Sequence, residues 1–230
     1  MAKLIYHGHS TATIELTDGT RILLDPWFDG NPVADRGMDE VGRLDYIFCS
    51  HGHFDHFPDA IPLAKSTGAT LVATVELVAY CEAKGVKNTH AMNIGGWWKF
   101  PFGRVKMTPA IHGGAVDGDE TGRATTTPAG FLFHFFEGAR VYFAGDTALT
   151  LDMKLLEGQV DVALLPIGDN FTMGPEDAVR ALDFCQPAVV IPIHYNTFPP
   201  IAQDPERFRA LVGNRARVAV LHPGDHFTLD

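Results

Sequence analysis

The chain has 230 residues, of which 46% are hydrophobic and 20% charged, and its formal net charge is −10. This composition is typical of a globular protein with enough apolar material for a sizeable core. The acidic balance and the scattered positions of Lys and Arg argue against nucleic acid as a partner, because phosphate binding needs clustered positive charge.

The cysteines and the apolar runs predict the compartment. Cys49, Cys81 and Cys185 form no close pair, which is typical of buried thiols in a reducing compartment rather than of a disulfide framework. The amino terminus lacks the apolar segment of a signal peptide, and no apolar run approaches the ~18 residues of a membrane span. We therefore expect a cytoplasmic protein with no membrane association.

The first half of the chain predicts short strands followed by helices. Strands at Thr11–Leu16 and Arg21–Leu24 flank Asp18-Gly19, which is the signature of a tight hairpin. Further along, the patterns predict a loop over 27–43, strands over 46–50 and 70–73, and helices over 60–66 and 76–84.

The second half begins with strands over 105–108, 131–136 and 141–144, with a hairpin at Glu137-Gly138. A long functional loop is expected over 113–129. The last third alternates strands over 162–165, 189–193 and 218–221 with helices over 175–184 and 205–212. No linker interrupts this order, so we expect a single α/β domain over residues 1–230, with helices on the outer faces of its sheets.

The segment His51-Gly52-His53-Phe54-Asp55-His56 directly follows a buried strand and carries four side chains that can bind metal. In an extended segment the side chains at i and i+2 point the same way, so His51 and His53 can hold one cation together. Asp55 and His56 lie where the chain turns toward a helix, and they point elsewhere, toward a second cation. The alternative is a surface loop that happens to be rich in histidine.

Four further residues of ligand type each follow an apolar strand: Asp25, His112, Asp146 and His194. Strand ends assemble sites at one rim of a sheet in α/β layers, and five strand ends here deliver His or Asp. A single one of these histidines is equally well explained as a hydrogen-bonded core residue. Together they predict a metal centre.

The number of donors predicts two divalent ions, because six or seven N and O ligands exceed what one four-coordinate zinc can use. Asp146 can bridge the ions through its two oxygens. Two ions ~3.5–4 Å apart lower the pKa of a bridging water to near 7 and polarise a carbonyl or phosphoryl oxygen. Zinc is the first expectation, and manganese or iron stays open because no cysteine is among the candidate ligands.

These motifs resemble the metallo-β-lactamase superfamily: H-x-H-x-D-H, a later His, Gly145-Asp146-Thr147, and a final His after a strand. Further stretches are similar to its uncharacterised metal-dependent hydrolase branch, close to L-ascorbate-6-phosphate lactonase. They are Gly8-His9-Ser10, Asp25-Pro26, Asn93-Ile-Gly-Gly96, Leu165-Pro-Ile-Gly168, Thr172-Met-Gly-Pro-Glu-Asp177 and Pro192-Ile-His-Tyr195.

The resemblance implies an αββα sandwich with a dinuclear site at one edge, between two β-sheets. By position, the first metal would be held by His51, His53 and His112, and the second by Asp55, His56 and His194. Asp146 would bridge the two ions, and Asp25 would orient ligands through hydrogen bonds.

Sequence differences from related branches of the superfamily restrict the activities that we expect of this chain. β-Lactamases of this fold place a cysteine at the position of Asp146, and flavodiiron oxygen reductases place a glutamate at the position of His53. The nucleases of the superfamily carry basic surface or extra domains that this short acidic chain does not match.

The primary hypothesis is a hydrolase in which a metal-bridging hydroxide attacks an ester, lactone or phosphoester of a small molecule. Asp55 or His9 would help move a proton to the leaving group, although His9 is equally compatible with a structural role in its turn. Asp169 and Asn170 either line the pocket or cap the helix at Pro175. The alternatives are a phosphodiesterase or nuclease, an iron-dependent redox enzyme, and an idle metal-binding module. Self-association stays open.

Overall fold

The computed structural model describes residues 1–229, and the contacts between Cα atoms divide them into two compact units. Unit 1 consists of residues 1–94, 113–128 and those from His222 onward. Unit 2 consists of residues 95–112 and 129–221. No helix in the described part of the chain is long and apolar enough to cross a bilayer.

Unit 1 contains one seven-stranded mixed sheet in the order β14-β1-β2-β3-β4-β5-β6. Strands β14, β1, β2 and β3 pair antiparallel, and β3, β4, β5 and β6 pair parallel. The strands are β1 (Ala2–Gly8), β2 (Thr11–Glu15), β3 (Arg21–Leu24), β4 (Tyr46–Phe48), β5 (Thr70–Thr74), β6 (Thr89–Met92) and β14 (His226–Leu229).

Two helices pack on this sheet, α1 (Ala60–Thr67) and α2 (Val75–Ala83). Their buried positions, Leu63 and Leu77 among them, join Leu23, Ile47 and Leu71 from the strands in one apolar cluster. A 3-10 helix spans Met38–Glu40. Strands β3, β4 and β5 are largely buried, so their sequences are apolar runs rather than alternating patterns, whereas the edge strand β6 is partly exposed.

Unit 2 repeats the same mixed arrangement, with the sheet order β13-β12-β11-β10-β9-β8-β7. Strands β7 to β10 pair antiparallel, and β10 to β13 pair parallel. The strands are β7 (Trp97–Phe100), β8 (Gly103–Pro109), β9 (Ala129–Phe135), β10 (Arg140–Phe143), β11 (Val162–Pro166), β12 (Val189–Ile193) and β13 (Arg217–Val218).

Helices α3 (Pro175–Cys185) and α4 (Pro205–Val212) cover the parallel part of this sheet. Ala181, Leu182 and Phe208 of the helices share a core with Leu165 and Val190 of the strands. Short 3-10 helices span Leu151–Leu156 and Pro199–Ile201.

Both predicted hairpins are confirmed. The chain reverses between β2 and β3 at Gly19, whose φ is 84°, and between β9 and β10 at Gly138, whose φ is 106°. The four predicted helices lie within one residue of their predicted ends. The strand predicted over 218–221 was wrong beyond Val218, and β14 was not foreseen because it is stabilised by pairing with the distant β1.

Candidate metal centre

In unit 1, the segment from His51 to His56 leaves the carboxyl end of β4 and brings three imidazoles together. The His51 and His53 ring centroids are 4.5 Å apart, and the His51 and His56 centroids are 4.3 Å apart. His51 Nε2 lies 3.0 Å from His53 Nδ1. His51 and His56 are fully buried, whereas His53 is half-buried. The i, i+2 pair thus converges as the sequence spacing predicts.

Asp25, at the carboxyl end of β3, positions two of these histidines. Its buried carboxyl group accepts hydrogen bonds from the Ser50 amide at 2.7 Å, the Ser50 hydroxyl at 2.5 Å and His56 Nδ1 at 2.7 Å. Ser50 Oγ also lies 2.9 Å from His51 Nδ1. Donation from Nδ1 leaves Nε2 of His56 as the ligand atom. Desolvation by burial raises the pKa of Asp25, and these hydrogen bonds oppose that rise.

Ser50 is a residue of the candidate site that the sequence reasoning missed. It ends an apolar run immediately before the first ligand, and a hydroxyl at that place was the available signal.

His9 lies beside Asp55 and His56, the second pair of candidate ligands in unit 1. His9 Nε2 is 3.3 Å from Asp55 Oδ2, and His56 Nε2 is 3.9 Å from Asp55 Oδ1. One ligand atom from each of these three residues lies within 4.8 Å of the others. Asp55 therefore presents one oxygen to each of two imidazoles. The turn at Gly8, whose φ is 111°, follows a register shift in β1 and carries His9 inward to a fully buried position.

In unit 2, Asp146 is shared by two histidines. Its Oδ2 lies 2.9 Å from His194 Nε2 and 3.5 Å from His112 Nε2. His194 directly follows β12, Asp146 lies in the segment after β10, and His112 lies in the segment after β8. Asp146 and His194 are buried, and His112 is half-buried.

Thr147 holds two of these segments together and was also missed from the sequence. Its Oγ1 accepts the Ile111 amide at 3.0 Å, and the Ala148 amide donates to the Ile111 carbonyl at 3.0 Å. The residue before His112 is thereby fixed to the loop that carries Asp146.

Asp169 and Asn170 follow β11 and are exposed, with φ values of 61° and 52°. The Asn170 amide donates to Asp169 Oδ1 at 2.9 Å. The N-cap of α3 is Gly174, which has no side-chain cap, so the structure does not bear out the capping alternative. Their role as pocket residues stays a prediction.

The donor sets in the two units fit divalent metal ions. In each unit the converging ligand atoms are imidazole nitrogens and carboxylate oxygens, which suit zinc, manganese and iron. Burying several imidazoles and carboxylates together away from water costs free energy unless a cation binds their lone pairs. The contacts of His56 Nδ1 with Asp25 and of His51 Nδ1 with Ser50 are the supporting hydrogen bonds that ligating histidines usually have.

Comparison with known proteins gives the family. The model of the Beta-lactamase superfamily domain matches residues 20–195. A UPF0173 metal-dependent hydrolase from Heliobacterium modesticaldum is 48% identical over 240 residues, covering 100% of this chain and 98% of the relative.

Among solved structures, Igni18, a metallo hydrolase from Ignicoccus hospitalis, is 34% identical with a TM-score of 0.88, and the match covers 100% of this chain and 99% of Igni18. An isothiocyanate hydrolase from Delia radicum gut bacteria shares the fold at 18% identity, with a TM-score of 0.77 and coverage of 99% and 98%.

The fold and the His/Asp clusters define a metal-dependent hydrolase of the metallo-β-lactamase fold. Within that class, the chain belongs to the UPF0173 metal-dependent hydrolase family. The predicted fold class, superfamily and enzyme class are confirmed. The closeness to L-ascorbate-6-phosphate lactonase stays a prediction.

Proposed function

We propose that the enzyme is a dinuclear hydrolase of small-molecule esters, lactones or phosphoesters, with zinc as its first metal and manganese or iron as substitutes. By the superfamily's motif order, His51, His53 and His112 would hold one ion, and Asp55, His56 and His194 the other. Asp146 would serve both ions. The observation that carries the proposal is the single Asp146 oxygen that faces Nε2 of both His112 and His194.

When bound, the ions would lower the pKa of a water toward 7 and polarise an oxygen of the substrate. The protein's own residues support that chemistry by orientation and proton movement. Asp25 and Ser50 fix the tautomers of His56 and His51, so that ligand nitrogens stay deprotonated and aimed. Asp55 and His9 are 3.3 Å apart and can pass a proton to the leaving group.

A cytoplasmic location is part of the proposal. It is supported by the free thiols of Cys49, Cys81 and Cys185, all buried in the cores. Burial raises the pKa of Cys81 and of Cys185 to about 12, so both thiols are protonated and unreactive at neutral pH.

The test is a panel of p-nitrophenyl esters, lactones and bis-p-nitrophenyl phosphate, run with zinc-, manganese- and iron-loaded protein. We expect turnover of at least one class, and its loss together with bound metal in Asp146→Asn and His51→Ala. The matched controls are the exposed substitutions Asp39→Asn and His226→Ala, which should keep both activity and bound metal.

Three outcomes would redirect the assignment. Retention of metal and activity by Asp146→Asn would overturn the ligand set. Turnover of the phosphodiester alone would favour phosphodiesterase chemistry, and oxygen consumption by the iron form without hydrolysis would favour a redox enzyme.

A further inference from the structure

Unit 1 contains a cavity of about 360 Å³ beside His53. This volume lies within the range of small-molecule pockets, which are lined mainly by apolar side chains around a few polar groups. The cavity follows that pattern, since its apolar wall is formed by Phe54, Phe57, Pro58, Ile61 and Tyr80.

The polar side of the cavity carries Asp117 and His53. Asp117 is held in place from two directions. Its Oδ2 accepts the Phe54 amide at 2.9 Å, and its own amide donates to the Gly52 carbonyl at 2.9 Å. Among the described residues that line the cavity, Asp117 is the only one with a carboxyl group. A negatively charged guest would therefore meet a fixed carboxylate.

Phe54 and His53 connect the cavity to solvent and to the candidate metal site. The Phe54 side chain is 55% exposed, although it belongs to an aromatic type that is usually buried. A guest in the cavity would cover this ring. His53, on the same wall, is one of the proposed metal ligands, so the guest would be adjacent to the reacting bond.

We propose that this cavity binds a part of the substrate that is apolar and carries no negative charge. The inference rests on the proposed function and narrows it: the substrate is an ester or lactone with an apolar or aromatic substituent, not one with a free phosphate at this end. Ile61 and Tyr80 determine which substituents fit, and Asp117 excludes anions.

The first test measures binding of two probes to the metal-loaded protein by isothermal titration calorimetry. Benzyl alcohol is neutral and benzyltrimethylammonium is cationic, and neither carries an anion that would bind a metal. Ile61→Trp fills the cavity and should weaken both probes about tenfold, since the buried apolar contact is lost. Asp117→Asn keeps an acceptor for the Phe54 amide but removes the charge. It should weaken the cation about fivefold and leave benzyl alcohol unchanged.

The matched control is Leu151→Trp, which places the same bulk at a 75% exposed position in unit 2. It should bind both probes as the wild type does. Equal binding of benzyl alcohol by wild type and Ile61→Trp would overturn the proposal, as would failure of the wild type to bind either probe.

The second test compares p-nitrophenyl phenylacetate with p-nitrophenyl acetate. Ile61→Trp should lower kcat/KM for the phenylacetyl ester about tenfold relative to the acetyl ester. If both esters are hydrolysed and their ratio does not change, the cavity inference fails and the hydrolase assignment stands. If no ester is hydrolysed but benzyl alcohol binding still depends on Ile61, the proposed function fails and the apolar site stands.

Discussion

Three residues of the candidate metal centre have backbone conformations that side chains other than glycine rarely adopt. The φ angles of His9, Asp25 and His194 are 56°, 39° and 54°. Such positions cost on the order of 1–3 kcal/mol each and cluster at functional sites. Each of the three follows a strand, and the left-handed turn directs its side chain to the candidate ligands. At these three positions, backbone strain coincides with residues whose geometry the proposed chemistry needs to be fixed.

Replacing Asp25 with Asn tests its role in orienting ligands. Asn can still accept the Ser50 amide, but it cannot accept His56 Nδ1–H and the Ser50 hydroxyl with the same strength. We expect metal affinity to fall by about 10–100-fold, measured by competition with a chromogenic chelator. Asp39→Asn, at an exposed position, is the control. Unchanged metal affinity in Asp25→Asn would show that Asp25 only supports packing.

Gly168 leaves room for the backbone of His194. A Cβ at this position would lie 2.3 Å from the His194 carbonyl oxygen and 3.0 Å from Ile201 Cβ. Gly168→Ala should therefore destabilise the fold by about 1–3 kcal/mol in urea unfolding and displace His194 from Asp146. Wild-type stability and metal content in this variant would contradict the tight contact.

At the scale of elements, each sheet has the same Asp–Arg pair where its first two parallel strands begin. In this pair, called here the clamp, the Asp side chain accepts the Arg amide and the Asp amide donates to the Arg carbonyl. In unit 2, Asp161 accepts the Arg140 amide at 2.8 Å and its own amide donates to the Arg140 carbonyl at 2.8 Å. In unit 1, Asp45 accepts the Arg21 amide at 2.9 Å, and its amide donates to the Arg21 carbonyl at 3.0 Å. The clamp fixes the register of β10 with β11 and of β3 with β4.

Only the unit 2 clamp adds a two-point ion pair, in which Arg140 Nε and Nη2 lie 2.9 Å and 2.5 Å from the Asp161 oxygens. The hydrogen bond from Arg140 lowers the pKa of Asp161. A lowered folded-state pKa gives stability that is present above the unfolded pKa of about 3.9 and lost as pH falls through the folded value.

Asp161→Asn should therefore cost about 1 kcal/mol at pH 7, because the pair is about one-third exposed and screened by solvent. The difference from wild type should shrink as the pH falls below the unfolded pKa of about 3.9 and through the lowered folded-state pKa of Asp161. Urea unfolding of both proteins at each pH measures this difference, with the exposed Asp39→Asn as control. A difference that stays constant with pH would assign the effect to packing.

At the scale of the whole molecule, metal binding should contribute to stability. Ligands that bind only the folded state stabilise it by an amount that rises with metal concentration, about 2.7 kcal/mol at 100 times Kd. Removal of metal by a chelator should lower the Tm, and added zinc should restore it. The Tm of Asp146→Asn should respond less to both. Identical melting of wild type with and without metal would contradict a folded-state metal site.

The elements that were predicted well depend on local chemistry. The hairpins at Gly19 and Gly138, the helix ends and the apolar strands follow from turn residues and side-chain period. Strand β14 and the contacts of Asp25 with Ser50 could not be predicted from local sequence, because they join residues 25 or more positions apart. No local pattern encodes such pairings.

The sequence by itself determined the candidate ligand types, their places after strands and the superfamily, because short motifs and strand periods specify these locally. Tertiary structure alone decided that one oxygen of Asp146 faces two imidazoles, that Ser50 and Asp25 orient His51 and His56, and that Asp117 holds the segment from His51 to His56 beside a cavity. Asp117 and Phe54 are 63 positions apart in the chain. Their contact depends on how the loop packs, and packing is a property of the folded core rather than of any short stretch of sequence.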